Sequence, residues 1–280
     1  MAEVQDRTPD AIFLCTFQRV FDTAPSPDCV SLDELAFGLT HFLPKEKLQK
    51  TIDRQLRRLD ENVQRLRRGD AAVGSKRHLA KRVLEGGPHA LAKAQKKIRD
   101  QAKTDLRLWS PARYIDGAER GTAGVLAISC LVLDIDGGVS LGEVDARLAP
   151  HHRIFHSTWS HQKNAPRFRV CLPLAQPVDA ACWTDVWGFA QARVGGVADG
   201  ALKGPAATYA LPATPDETGE RFAFVRPGPC FDPVRDGLAE GIAINAPPRA
   251  RESHFRGAEK LLPPLDESPP TDWDAEFDAF

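Results

Sequence analysis

The chain has one methionine, two tyrosines and no apolar run near the roughly 18 residues needed to cross a bilayer, so a membrane-spanning helix is not expected. Its N-terminal stretch, MAEVQDRTPD, lacks an apolar h-region. No signal peptide is therefore expected, and the chain reads as soluble and cytoplasmic, with no membrane partner. The six cysteines are scattered, and none belongs to a CxxC or a Cys/His cluster. That argues against a zinc framework and for reduced core residues. A Walker A phosphate loop is missing too, which argues against a P-loop nucleotide site. There is no internal repeat.

Charge is abundant but unevenly placed. Overall, 37 basic residues nearly balance 38 acidic ones. From Lys45 to Arg107, however, 19 Lys and Arg face only 8 Asp and Glu, whereas Asp266 to Phe280 holds six acids and no base. This polarity favours an anionic partner for the first region and a basic partner for the second. With 280 residues there is room for one large domain or two small ones.

Patterning divides the chain further. Residues 11–21 (AIFLCTFQRVF) read as a strand, and Ser31 with Glu34 has capping-box spacing, so a helix starts at 31. Pro44 suits the first turn of a second helix. Along it Leu48, Ile52, Leu56, Leu59, Val63 and Leu66 form one apolar stripe, and Arg57, Arg58, Arg65, Arg67 and Arg68 occupy the opposite face. Two more basic helical pieces follow, broken at Gly86-Gly87-Pro88, so that residues 44–105 form a helical insertion between strand-forming parts. Mixed α/β patterning then begins. Strands are expected at 125–134, 153–159, 167–174, 207–211 and 221–226, with helices at SLGEVDARL (a second capping box, Ser140 and Glu143) and at 180–194. Prolines multiply after Pro227, and the final fifty residues read as extended or disordered.

The chemistry centres on LVLDIDGGVS, 131–140. In an extended segment residues i and i+2 share a face, which places the carboxylates of Asp134 and Asp136 about 7 Å apart. Like charges so close repel unless a cation lies between them or one keeps its proton. The spacing points to a divalent metal site; the structural alternative is a strand ending in an Asp-Gly turn. In HSTWSHQKNAPRFRVCLPL, 156–174, Phe168, Val170 and Leu172 alternate with Arg167, Arg169 and Cys171. One face therefore meets the core and two arginines share the other, where their forks suit phosphate oxygens, or else surface ion pairs. Ser160 and His161, in the loop before them, are further candidate nucleotide contacts. Asp199, 65 residues beyond Asp134, could complete a hard-oxygen site for Mg²⁺ or Mn²⁺, or could simply be a turn Asp before Gly200. In LRLWSPARYIDG, Trp109 and Arg113 combine groups that stack on bases and contact phosphate, although a Trp-Pro core corner explains them equally well.

The order hhhDhD, then STWSH…PRFRVCLPL, then a separate Asp before TYALPA resembles the archaeo-eukaryotic primase superfamily. More narrowly, it resembles the primase-polymerase-like proteins of phages and plasmids. TFQRVFDTAP…SLDELAFGLT and LWSPARY are similar to the N-terminal part of those proteins, so the likeness spans about residues 11–225 apart from the basic insertion. It implies an α+β fold, a small N-terminal α/β part beside an RRM-like sheet, with the active site between them. Residues 1–228 would be the catalytic domain and 229–280 a Pro-rich linker and acidic tail. The implied activity is template-directed nucleotidyl transfer by a primase or primase-polymerase of a phage, plasmid or mobile element. Two Mg²⁺ or Mn²⁺ ions would be held by Asp134, Asp136 and Asp199. The family's second motif is commonly Ser-x-His, contacting the triphosphate. Here His161 directly follows Ser160, and by strand position Arg169 could stand in the histidine's place.

The implied partners are single-stranded DNA template, primer, and dNTPs or NTPs. The basic helices, through Arg57, Arg58, Arg65 and Arg68, would hold nucleic-acid backbone. The tail resembles those by which single-strand-binding proteins dock. It could meet a replicative helicase or single-strand-binding protein, or mask the basic helices. Two other readings stand beside this one. LVLDIDGGVS also resembles the opening of haloacid-dehalogenase-type phosphatases, with Asp134 as nucleophile, and a primase fold could serve as an inactive nucleic-acid-binding protein.

Overall fold

The structure is a computed structural model and describes residues 11–42, 46–72, 76–213 and 221–244. Two antiparallel sheets carry it. The first contains β1 (Ile12–Phe17), β2 (Ser26–Val30), β3 (Leu108–Ser110) and β8 (Tyr209–Ala210), in the order β2-β1-β3-β8. The second contains β4 (Ala112–Tyr114), β5 (Val125–Ile135), β6 (Arg153–Ser157), β7 (Phe168–Asp179) and β9 (Ala223–Arg226), in the order β4-β5-β7-β6-β9. With its helices this is a mixed architecture of the α+β class that the resemblance implies. No helix among the described residues is long and apolar enough to cross a membrane.

Alternation along β5 decides where everything else sits. Leu131, Leu133 and Ile135 face one core, shared with Phe168, Val170 and Leu172 of β7 and with Val186 and Ala190 of α5 (Trp183–Arg193). Cys130 and Val132 face a second core, built with Ile12, Leu14, Trp109 and Tyr209 of the first sheet and with Leu35 and Leu39 of α1 (Leu32–Thr40). Asp134 continues this second row, so it emerges where the two sheets part. Both expected capping boxes form. In α1, Ser31 Oγ accepts from the Glu34 N–H at 3.1 Å, and in α4 (Leu141–Arg147) Ser140 Oγ accepts from that of Glu143 at 3.2 Å.

The basic region makes α2 (Glu46–Arg67) and α3 (Arg77–Ala102). Ile52, Leu59 and Val63 of the stripe are buried against Leu79, Val83 and Ile98, with Leu48, Leu56 and Leu66 at the margin. Helical geometry fails at Gly87, whose φ of 63° is readily adopted only by glycine, so α3 breaks at the expected point. Lys76 Nζ donates to Gln101 Oε1 at 2.9 Å, which brings the start of α3 beside its end. Its halves, 77–86 and 88–102, thus fold back on each other.

Several elements differ from expectation. The first strand stops at Phe17, and the segment after it, to which the patterning assigned no element, supplies β2. Pro27 is tolerated there because β2 lies at a sheet edge. The Pro-rich segment after Pro227 is folded as far as it is described. Phe231 is wholly buried, bridged to Leu174 and stacked on Phe189, and α6 (Pro233–Ala239) follows under an Asp232 cap. Residues 245–280, including the acidic tail, lie outside the described residues.

Candidate active site

Strand register builds the site. Asp134 on β5 lies directly opposite Arg169 on β7, which lies opposite His156 on β6. Directly paired residues project from the same face of a sheet, so a carboxylate, a guanidinium and an imidazole form one row, with Asp136 and Arg167 beyond it. Arg169 binds Asp134 Oδ2 with two donors, Nε at 3.0 Å and Nη2 at 2.9 Å. Its Nη1 donates to the Ala210 carbonyl at 3.0 Å, and its guanidinium sits 5.5 Å from the centre of the Tyr209 ring. One arginine therefore joins the metal-candidate strand to the first sheet. Arg167 Nη1 meets Asp136 Oδ1 at 3.2 Å, in a more exposed pair.

These groups line a pocket of about 220 Å³ between the sheets, together with Trp159, Ser160, Lys103 and the 210–213 segment. After Asp136 the chain turns away through Gly137 and Gly138, both at positive φ. Asp134 is only 8% exposed, and its Oδ1 is buried without a hydrogen-bond partner. Burial holds the His156 imidazole well below its ordinary range, at about 3, and the Arg169 charge pushes the same way against its bond with the Ser157 carbonyl. The ring is therefore neutral. Burial likewise raises the Tyr209 phenol, which stays protonated.

A buried carboxylate oxygen without a partner is the kind of atom a cation satisfies, and Asp136 beside it is exposed. Two such hard oxygen donors fit Mg²⁺ or Mn²⁺, whose other ligands are usually water and substrate phosphate. Asp199 is close through its backbone. Its N–H donates to the Asp134 carbonyl at 2.8 Å, extending the Ile135–Ala198 bridge, but its side chain accepts from the Ala201 N–H at 2.9 Å and does not line the pocket. Among the described residues no three His, Cys, Asp or Glu side chains are gathered for a metal.

The remaining candidates separate clearly. Ser160, Arg167 and Arg169 are in the pocket, while His161 is in its supporting loop, accepting from the Arg167 backbone N–H at 3.2 Å and lying edge-on to Phe222. Trp109 is 1% exposed and packed against Tyr209, so it is a core residue and cannot stack on a base. Arg113, on β4, does not line the pocket. On α2, Arg57 and Arg58 are exposed, and so is Arg68 just past its end, 3.7 Å from Asp70; Arg65 is half-buried, its Nε donating to the Ala71 carbonyl at 3.0 Å. Sequence reasoning missed His156, Lys103 and Trp159. A period-two reading of 153–157 from the buried Ile154 would have found the first.

No known protein-family signature and no curated protein matches this chain. Among solved structures it is similar to the AEP domain of the cyanophage S-2L primase-polymerase (PrimPol). The TM-score is 0.36 at 16% identity, over 50% of this chain and 71% of that one. A likeness of that size leaves the chemistry to be decided by the side chains.

Proposed function

We propose that this protein is a template-directed nucleotidyltransferase of the primase-polymerase kind, acting with divalent cations between its two sheets. The observation that supports it most is the pairing of Asp134 and Asp136, on one strand end, with Arg169 and Arg167 on the next, in a pocket walled by both sheets. Asp134, Asp136 and, from the neighbouring rung, Asp199 would hold Mg²⁺ or Mn²⁺, two ions in the full assignment. Such ions, when bound, lower the pKa of a primer 3′-hydroxyl and neutralise charge on the leaving pyrophosphate.

The protein's own residues do the rest. Arg167 and Arg169 now neutralise the carboxylates, and their forks are suited to the oxygens of an incoming dNTP or NTP. Lys103, paired with Asp100 at 3.0 Å, also lines the pocket. Tyr209 and the Ala210 carbonyl keep Arg169 aimed into the pocket. Trp159, half-buried against the basic helices, offers a ring beside Ser160 for the sugar or base. The exposed arginines of α2 would hold single-stranded template or primer by its phosphates. Service to a phage, plasmid or mobile replicon, and tail contacts with a helicase or single-strand-binding protein, belong to the same proposal.

The phosphatase reading is weaker on physical grounds. Its nucleophile would be Asp134, yet one oxygen is held by a two-pronged guanidinium, and no second acidic pair lines the pocket. Incubation with primed single-stranded template, Mg²⁺ or Mn²⁺, and labelled dNTPs or NTPs tests the proposal. Incorporation that follows the template is the expected result. Nucleic-acid binding with no incorporation under any of these conditions would leave the binding-protein reading.

A further inference from the structure

The folded-back halves of α3 enclose a groove of about 600 Å³, separate from the candidate active site and within the roughly 300–1,000 Å³ of clefts that hold ligands. Its chemistry is divided. Leu79 and Ala94 form an apolar floor, while Arg82, Lys93, Lys96 and Lys97 stand around it. The one acid of the lining, Asp100, is already paired with Lys103 at 3.0 Å. None of the four cations around the floor forms an ion pair with a described residue. A bare phosphate backbone would answer the cations and leave the floor uncovered. A wholly apolar segment would do the reverse.

One segment of this chain answers both. Residues 266–280, DESPPTDWDAEFDAF, carry six acids and no base, and set Trp273, Phe277 and Phe280 among them. We propose that this segment docks in the α3 groove, its rings on the apolar floor and its carboxylates on the surrounding cations, and that single-stranded nucleic acid must displace it from those cations. Reach is sufficient. The 22 residues from Ile244 to Asp266 span up to about 70 Å at full extension. A folded chain of this size has a radius of gyration on the order of 18 Å. The proposal does not depend on nucleotidyl transfer and stands or falls separately from it.

Hydrogen exchange on the full-length chain tests it, read peptide by peptide. Backbone amides of 266–280 should exchange about tenfold more slowly in the wild type than in a Lys93→Glu, Lys97→Glu variant. A Trp273→Ala, Phe277→Ala variant should lose the same protection while keeping every charge. Exchange around Leu79 and Ile98 should be unchanged in both, which guards against unfolding of the hairpin. Adding a single-stranded oligonucleotide should release the tail. Equal tail rates in the wild type and both variants would overturn the proposal. So would protection that rises with protein concentration, which assigns the groove to a second copy, or an oligonucleotide that protects 88–102 without changing tail exchange.

Discussion

Arg169 is the residue on which the site turns, because it satisfies a carboxylate, a backbone carbonyl and an aromatic face at once. A lysine carries the same charge but cannot reproduce a planar fork. Arg169→Lys is therefore expected to leave the fold intact and to raise the KM for nucleotide about tenfold, with a smaller change in kcat; steady-state incorporation kinetics read this directly. Asp199 calls for a different comparison, since its carboxylate now caps its own turn. Asparagine caps as well as aspartate, so Asp199→Asn should unfold at the wild-type temperature. It should nevertheless lose incorporation at least as severely as Asp199→Ala, because the negative charge is what the proposed ion requires. Full activity in the Asn variant would reduce Asp199 to a turn residue. Asp134 and Asp136 were legible in the sequence because period-two alternation is simple to extend to a strand end. The choice between His161 and Arg169 was not, since it depends on where a polar loop closes. Trp109 misled because an aromatic beside a basic residue has the same appearance in a core corner and on a binding surface.

At the scale of elements, the apolar stripe of α2 and the Gly87 break were readable because both follow from local geometry. The edge strand β2 and the helix α6 were not, since their burial is decided by distant partners, and at α6 the proline count suggested extended chain. The exposed arginines on α2 and just past its end can be tested by themselves. Replacing Arg57, Arg58 and Arg68 with Ala should weaken single-strand binding alike on every sequence. It should also flatten the dependence of log affinity on log salt, by roughly one unit for each phosphate no longer neutralised. Arg65 is better left in place, because its bond to the Ala71 carbonyl secures the end of the helix. An unchanged salt slope would make this face merely solvated.

Across the whole molecule, three buried histidines tie stability to pH. Burial lowers the pKa of His151, His152 and His156 alike, the last to about 3. The unfolded chain takes up protons as pH falls through about 6.5, where the native imidazoles resist them. Stability is therefore complete above the ordinary histidine range and declines as pH drops from about 6.5 towards 3. Melting temperature measured from pH 7.5 down to 4.5 should fall, and His156→Gln, which titrates nowhere in that range, should make the fall shallower. An identical slope in the variant would show that the His156 ring titrates alike in the folded and the unfolded chain.

On the proposed function, Asp134 and Asp136 are paired in order to hold cations for nucleotidyl transfer. Template-directed incorporation by the Asp134→Asn, Asp136→Asn double variant is the decisive assay. Removing both charges should cut incorporation by at least about a thousandfold, with single-strand binding retained; the variant should stay folded but melt lower than the wild type, because Arg169 loses its buried charge partner. A double variant that extends primers at the wild-type rate would contradict the pairing's role. So would a wild type that incorporates nothing but releases phosphate from small monoesters, an activity lost on Asp134→Asn.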